Sequence, residues 1–113
     1  MLIIGELINC TRKKVGAAAA ARDVEFFREI ALRQVNAGAD MLDVNGGLPG
    51  QELEVLPWLV NIVQETVSVP LCLDSADPEA LRRALPPGSI LAPEHSALGV
   101  GPCLAGTLRA ATP

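Results

Sequence analysis

Short apolar runs alternate along the chain with longer segments in which apolar and polar residues repeat at helical spacing. The runs at residues 2–4, 41–44 and 71–73 predict three buried β-strands. After the first two runs, apolar residues recur three or four positions apart, which indicates two amphipathic helices. The residues with this spacing are Val24, Phe27, Ile30, Ala31 and Val35 in the first helix, and Trp58, Leu59, Ile62 and Val63 in the second.

Capping residues indicate where the predicted helices begin and end. Asp23 is a candidate N-cap, and Gly38 a candidate C-cap, of the first helix. Pro57 suits the first turn of the second helix, because a first turn leaves its N–H groups unbonded and proline has none. Asp77 and Pro78 predict the N-cap and first residue of a third helix that ends near residue 85.

The order of elements is therefore β-α-β-α-β-α. Such alternation is typical of α/β proteins in which right-handed crossovers join parallel strands. We expect residues 5–14 to form a loop, while the alanine-rich residues 17–21 permit a helix. Residues 1–85 are assigned to one α/β domain. Residues 86–113 are assigned to an irregular or disordered Pro/Gly/Ala-rich tail, in which residues 89–92 are a candidate fourth strand.

The composition restricts the classes of function. The 113 residues carry a formal net charge of -4 and form no basic cluster, which argues against a nucleic-acid partner. Cys10, Cys72 and Cys103 make no C-x-x-C pair, so we expect reduced thiols rather than disulfides or a zinc site. We recognise neither a signal peptide nor a membrane-spanning run, and therefore expect a soluble, cytoplasmic protein.

Polar side chains follow each of the three predicted strands. In parallel α/β proteins the carboxyl ends of the strands meet at one edge, where ligands bind. We therefore expect these residues to line one cup: Glu6, Asn9, Asp43, Asn45, Asp74 and Ser75. Carboxylates accept hydrogen bonds, and carboxamides both donate and accept them, which suits a heteroaromatic base such as a pterin.

Each of these residues also has a purely structural interpretation. Asp43 and Asn45 are typical of turns, and the two glycines after Asn45 strengthen that alternative. Asp74 would serve as an N-cap of the third helix, although Asp77 fills that role better. Ser75 lacks the G-x-S-x-G motif of a nucleophile, so we assign no catalytic residue, and no metal site.

Five segments resemble, in this order, the pterin-binding methyltransferase family: MLIIGELIN, ARD with a helix ending in AGAD, MLDVNGG, LPWLV and VPLCLDS. Over about residues 1–85 the chain is most similar to the methyltetrahydrofolate:corrinoid methyltransferases, relatives of dihydropteroate synthase. The resemblance implies a TIM (β/α)8 barrel. It also implies that the enzyme binds methyltetrahydrofolate and passes the N5 methyl group to the cobalt of a corrinoid (cobalamin) carried by a partner protein.

The resemblance implies roles for the residues of the cup. Asp74 would be a pterin-contacting carboxylate, with Asn9, Asp43 and Asn45 beside it. Glu6 matches the acidic residue of the family's G-E-R-I-N opening, whereas Leu7 stands where that motif has arginine. The segment SILAPEHS likewise departs from the family's fourth-strand ending.

A (β/α)8 barrel requires about 250 residues. We therefore expect three βα units of a truncated barrel, inactive in methyl transfer by themselves and compatible with an oligomer. Two alternatives stay open. One is a non-catalytic module that docks on a corrinoid protein or a complementary barrel chain. The other is a dihydropteroate synthase-like enzyme, which the sequences of the loops after the first two strands disfavour.

Overall fold

Three parallel strands lie side by side in the computed structural model, which describes residues 1–75, 77–84 and 104–108. They are β1 (Ile4–Asn9), β2 (Met41–Asn45) and β3 (Leu71–Ser75), and the antiparallel strand β4 (Leu104–Leu108) follows β3 in the sheet. The helices are α1 (Lys13–Ala20), α2 (Val24–Asn36), α3 (Glu52–Thr66) and α4 (Pro78–Ala84). The predicted α/β order with parallel strands is confirmed, and it fits part of a (β/α)8 barrel.

The helices pack against one face of the sheet. Alternate residues of β2 and β3 point toward them, and Leu42, Val44 and Leu71 are fully buried there. From α2, Phe27 meets the ring of Trp58 edge to face, with 5.7 Å between ring centroids. The predicted amphipathic helices are therefore the layer that buries this side of the sheet.

The ends of α2 follow from the residues expected to cap it. The carboxylate of Asp23 accepts a hydrogen bond from the backbone N–H of Phe26 at 3.2 Å. Beyond the last turn, Gly38 has a φ of +106°, a left-handed conformation that costs glycine little. Both capping predictions are confirmed.

Two predicted boundaries in the first half of the chain are wrong. The first strand is Ile4–Asn9 rather than residues 2–4, because a polar residue such as Glu6 is tolerated where a strand faces away from the helices. The loop predicted for residues 5–14 is consequently short, and α1 begins at Lys13.

Pro57 lies inside α3 rather than in its first turn. The helix begins earlier because the backbone turns at Gly50, whose φ is +75°, and Val55 N–H already bonds to the carbonyl of Gln51. The helix therefore tolerates one missing backbone hydrogen bond at Pro57. Tertiary packing of the apolar side chains around it favours the longer helix.

The prediction of an irregular segment after residue 86 is wrong for Leu104–Leu108, which forms β4. These residues pair antiparallel with β3, from Leu71 opposite Leu108 to Ser75 opposite Leu104. The edge of β3 offers hydrogen-bonding groups that no local sequence pattern reveals. The candidate strand at residues 89–92 lies outside the described residues.

Within the described part of the chain, no helix is both long and apolar enough to cross a membrane.

Replacing Asp23 by alanine tests whether its side chain stabilises the start of α2. We expect Asp23→Ala to lower the free energy of unfolding by about 1 kcal/mol, because the Phe26 N–H loses its acceptor. Asp23→Asn keeps a capping oxygen and is the matched control, expected within a few tenths of a kcal/mol of the native chain. Urea unfolding followed by circular dichroism measures both, and equal midpoints for the two variants would contradict the assignment.

Candidate functional site

Polar side chains occupy the face of the sheet opposite the helices. Because side chains alternate along a strand, burying Leu42 and Val44 against the helices turns Asp43 and Asn45 of β2 to the second face. In β3 the same alternation turns Cys72 and Asp74 to that face. We call this side of the sheet the polar face.

The strand register arranges these side chains in two rows. Asn9, Asn45 and Asp74 are paired across β1, β2 and β3, so they form a row at the carboxyl ends of the strands. In the row below, Asp43 is paired with Cys72. The register therefore gathers residues from three separate segments of the chain at one end of the polar face.

A β-bulge in β1 brings Glu6 to the lower row. Gly5 pairs with Leu42 and Ile8 with Val44, so two residues of β1 stand opposite the single residue Asp43. Because Gly5 pairs with Leu42, which faces the helices, alternation turns Glu6 to the polar face, and its charge contributes to the raised pKa of Asp43. The lower row therefore consists of Glu6, Asp43 and Cys72. With Glu6 included, five of the six predicted site residues lie together on the polar face.

Burial and like charge make Asp43 the most perturbed acid of the site. Burial, with smaller contributions from the carboxylates of Asp74 and Glu6, raises the pKa of Asp43 to about 6. The backbone N–H of Val44 acts in the opposite direction. Among the described residues, the buried Oδ1 atoms of Asp43 and Asp74 have no hydrogen-bond partner. Two adjacent strands thus each present an acceptor that the surrounding fold does not satisfy.

The carboxamides of Asn9 and Asn45 are held by the turns that follow β1 and β2. Asn9 Oδ1 accepts hydrogen bonds from the N–H and the hydroxyl of Thr11, at 3.0 and 2.6 Å. Asn45 Oδ1 accepts one from the N–H of Gly47 at 2.8 Å. The structural interpretation of Asn45 as a turn residue is therefore correct. It is compatible with a ligand contact, because each carboxamide retains its NH2 group as a donor.

Ser75 does not lie with the other predicted site residues. Its side chain points to the helical face, where only 3% of the residue is exposed. The hydroxyl donates to Glu52 Oε1 at the start of α3 and accepts from the N–H of Asp77 at 3.0 Å. Asp77 in turn accepts from the N–H of Glu79 at 2.9 Å, which confirms it as the cap of α4. Ser75 therefore ties β3 to two helices.

Sequence reasoning missed three residues around the site. Cys72, expected in the core of its strand, lies on the polar face, a position that the alternation with Leu71 and Leu73 indicates. Gln34 and Glu52 reach the strands from α2 and α3 through hydrogen bonds, and no local pattern marks them.

The two thiols that the structure describes are protonated at neutral pH. Burial raises the pKa of both Cys10 and Cys72 to about 11, and at Cys72 the carboxylates of Asp43 and Asp74 add to the effect. Neither thiol is paired in a disulfide. Cys103 lies outside the described residues. Cys72 is therefore a neutral neighbour of the acids and not a nucleophile.

The site combines carboxylate acceptors with carboxamide donors on one rigid sheet. A ligand that matches it has several N–H donors for Asp43 and Asp74, and acceptors within reach of Asn9 and Asn45. A planar heterocycle with an exocyclic amine and a ring N–H next to it meets these requirements. A simple anion does not, because Glu6, Asp43 and Asp74 would repel it.

Comparison with known proteins gives two matches. The family model described as "Pterin binding enzyme" matches residues 5–91. A "Methylcorrinoid:tetrahydrofolate methyltransferase" of Eubacterium limosum is 46% identical over 87 residues, which are 76% of this chain and 32% of that protein. The chain thus spans about a third of the length of this relative. Both matches confirm the resemblance drawn from the five sequence segments. The stretch that the family model covers includes all five residues of the polar face predicted from the sequence: Glu6, Asn9, Asp43, Asn45 and Asp74.

The raised pKa of Asp43 makes stability depend on pH. Because the folded value of about 6 exceeds the ordinary value of about 3.9, the folded protein binds the proton more tightly than the unfolded chain does. Ionised Asp43 is therefore destabilising above pH 6, and this cost disappears as the pH falls from 6 to 4. Asp43→Asn should be more stable than the native chain by about 1–2 kcal/mol at pH 7, after allowance for solvent screening.

Urea unfolding at pH 7 and pH 4 measures this difference, which should be close to zero at pH 4. Glu65→Gln removes one exposed carboxylate from α3 and serves as the control. A difference between Asp43→Asn and the native chain that is the same at both pH values would refute the role of Asp43 ionisation.

Proposed function

Since the chain belongs to the family of pterin binding enzymes, we propose that its polar face binds the pterin ring of a tetrahydrofolate. Asp43 and Asp74 accept hydrogen bonds from the ring, Asn9 and Asn45 donate to it, and Glu6 stands at the edge of the site. The observation that carries the proposal is the pair of buried Oδ1 atoms of Asp43 and Asp74, which lack partners among the described residues. Buried acceptors of this kind are costly unless a partner satisfies them.

The chemistry of a pterin supports this assignment. One edge of the ring carries an amino group beside a ring N–H, a pair of donors that matches a carboxylate. Its carbonyl oxygen and unprotonated ring nitrogens are acceptors for carboxamide N–H groups. The parallel rows on β1, β2 and β3 offer both kinds of contact within two strand spacings, and strands lie about 4.8 Å apart. That span suits a bicyclic ring lying across the strand ends.

The proposed reaction moves a methyl group between N5 of the folate and the cobalt of a corrinoid carried by a partner protein. The relative from Eubacterium limosum is named for a methylcorrinoid and tetrahydrofolate, which supports this pair of reactants. The corrinoid supplies the metal centre that donates or accepts the methyl group. This chain's residues would bind and orient the pterin, so that N5 faces the partner protein. The same contacts serve both directions, because forward and reverse transfer share one transition state.

A second candidate function is supported by the edge of the sheet. In the described part of the chain, β1 is paired on one side only, by β2. Ile4 and Leu7 are exposed within it, and Leu2 and Ile3 are exposed just before it. An exposed apolar edge strand readily pairs with another chain. The chain would then act as a module that docks on a complementary part of a barrel.

Tetrahydrofolate binding tests the site. We expect Asp74→Asn to weaken binding by about 10-fold or more, because it removes a charged acceptor worth roughly 1.5–3 kcal/mol. Glu65→Gln makes the same change of charge on α3 and should bind like the native chain. Isothermal titration calorimetry measures all three proteins. Equal affinity of Asp74→Asn and the native chain would remove Asp74 from the site.

Methyl transfer tests whether the chain acts as a module of a larger barrel. The 113-residue chain alone, mixed with methyltetrahydrofolate and a reduced corrinoid protein, should not form methylcobalamin at an enzymatic rate, as followed by cobalt absorbance. The reason is that its described strands provide only one side of a barrel site. Addition of the part of the Eubacterium limosum relative outside the matched segment should restore transfer if the chain docks as a module. Rapid transfer by the chain alone would contradict the expectation of an incomplete site.

A further inference from the structure

The bulge in β1 determines which of its side chains reach the polar face. Without it, Ile8 would pair with Asn45, and Asn9 would lie one position beyond the row and turn to the helical face. With the extra residue at Glu6 and Leu7, Ile8 is buried against the helices, and Asn9 pairs with Asn45. One inserted residue thus allows both Glu6 and Asn9 to face the site.

A bulge leaves part of the strand without its regular hydrogen bonds, and Gln34 compensates for this from α2. Gln34 Oε1 accepts a hydrogen bond from the backbone N–H of Leu7 at 3.1 Å. Its Nε2 donates to the carbonyl of Ile30, one turn earlier in the helix, at 3.2 Å. The residue is only 7% exposed, so its carboxamide is fixed between helix and strand. Gln34 is one of the two buried polar residues of the described chain; the other is Ser75.

The glycine before the bulge provides the space for this contact. A Cβ atom at Gly5 would meet Gln34 Oε1 and also approach Leu42 Cδ2 to 2.9 Å. Real Cβ atoms do not come this close to a buried neighbour, so any larger residue would displace the carboxamide or the strand. Gly5 and Gln34 therefore form a matched pair beneath the bulge.

We propose that Gln34 is a positioning residue, which holds the bulge of β1 and thereby keeps Asn9 on the same pterin-binding face as Glu6. The identity of the ligand in this inference rests on the proposed function. The hold of Gln34 on the bulge rests only on the structure. Gln34 itself does not lie on the polar face, because it contacts β1 from the helical side. Its effect on the ligand passes through the conformation of residues 6–9.

Replacement by methionine and by glutamate distinguishes positioning from packing. Gln34→Met has a similar length but offers no acceptor to the Leu7 N–H. Gln34→Glu keeps an acceptor oxygen, and its protonated form also keeps a donor for the Ile30 carbonyl. Gly5→Ala leaves Gln34 in place but displaces its carboxamide, and provides a second, independent perturbation. Ile62→Val on α3 is the control for a general loss of stability.

Two measurements on the full chain report the outcome. The first is the titration of Asp43 by carbon-13 NMR, which senses Glu6 from β1 and Asp74 from β3. The second is the affinity for tetrahydrofolate. We expect Gln34→Met and Gly5→Ala to shift the titration of Asp43, because the position of Glu6 relative to Asp43 changes, and to weaken binding about threefold to tenfold, because Asn9 leaves the row. Gln34→Glu, which keeps the acceptor for the Leu7 N–H, should bind tetrahydrofolate with near-native affinity, and Ile62→Val should change neither property.

The possible results separate this inference from the proposed function. If the native chain does not bind tetrahydrofolate but Gln34→Met still shifts the Asp43 titration, the pterin proposal fails and the positioning role of Gln34 stands. If Gln34→Met leaves both the titration and the affinity at native values, the positioning role is overturned. It is equally overturned if Ile62→Val produces changes as large as those of Gln34→Met. Circular dichroism verifies that each variant is folded.

Discussion

The alternation of side chains along β2 and β3 is the constraint on which the candidate site depends. Burial of Leu42, Val44, Leu71 and Leu73 beneath the helices supplies the apolar contacts of the fold. It also leaves Asp43, Asn45 and Asp74 no other orientation than the opposite face. The packing that stabilises the domain and the placement of the polar groups of the candidate site therefore have a single cause. A change of register in either strand would lose both the apolar packing and the placement of the polar groups.

The site is maintained against an electrostatic cost. Asp43 is partly buried and has Asp74 and Glu6 near it, so its charged form is disfavoured in the fold. An arrangement selected for stability alone would hold a neutral or apolar residue there. Buried acceptors without partners are typical of binding sites, where the missing partner is the ligand. The core around Phe27 and Trp58 provides the stability that tolerates this cost.

Much of the architecture follows from local patterns, and the errors have physical causes. The cap at Asp23, the glycine at Gly38 and the three parallel strands depend on short-range rules that a sequence displays. The start of α3, the bulge in β1 and the pairing of Leu104–Leu108 depend on contacts between distant segments. Within the site, strand-end polarity identifies Asp43 and Asp74 correctly as neighbours on one face. It misplaces Ser75, because polarity alone does not reveal to which face a strand-end residue turns.

The two Asx turns at Asn9 and Asn45 have a consequence for the thermodynamics of recognition. Their carboxamide oxygens are bonded to Thr11 and Gly47, so each side chain loses its rotational freedom when the chain folds. Freezing a flexible side chain at the moment of association typically costs about 0.5–1.5 kcal/mol. Here that entropy loss belongs to folding, so the NH2 groups of Asn9 and Asn45 have fixed directions before any ligand arrives. Under the proposed function, the loops after β1 and β2 would act as rigid templates, and discrimination among flat heterocycles would depend on the backbone as much as on the side chains.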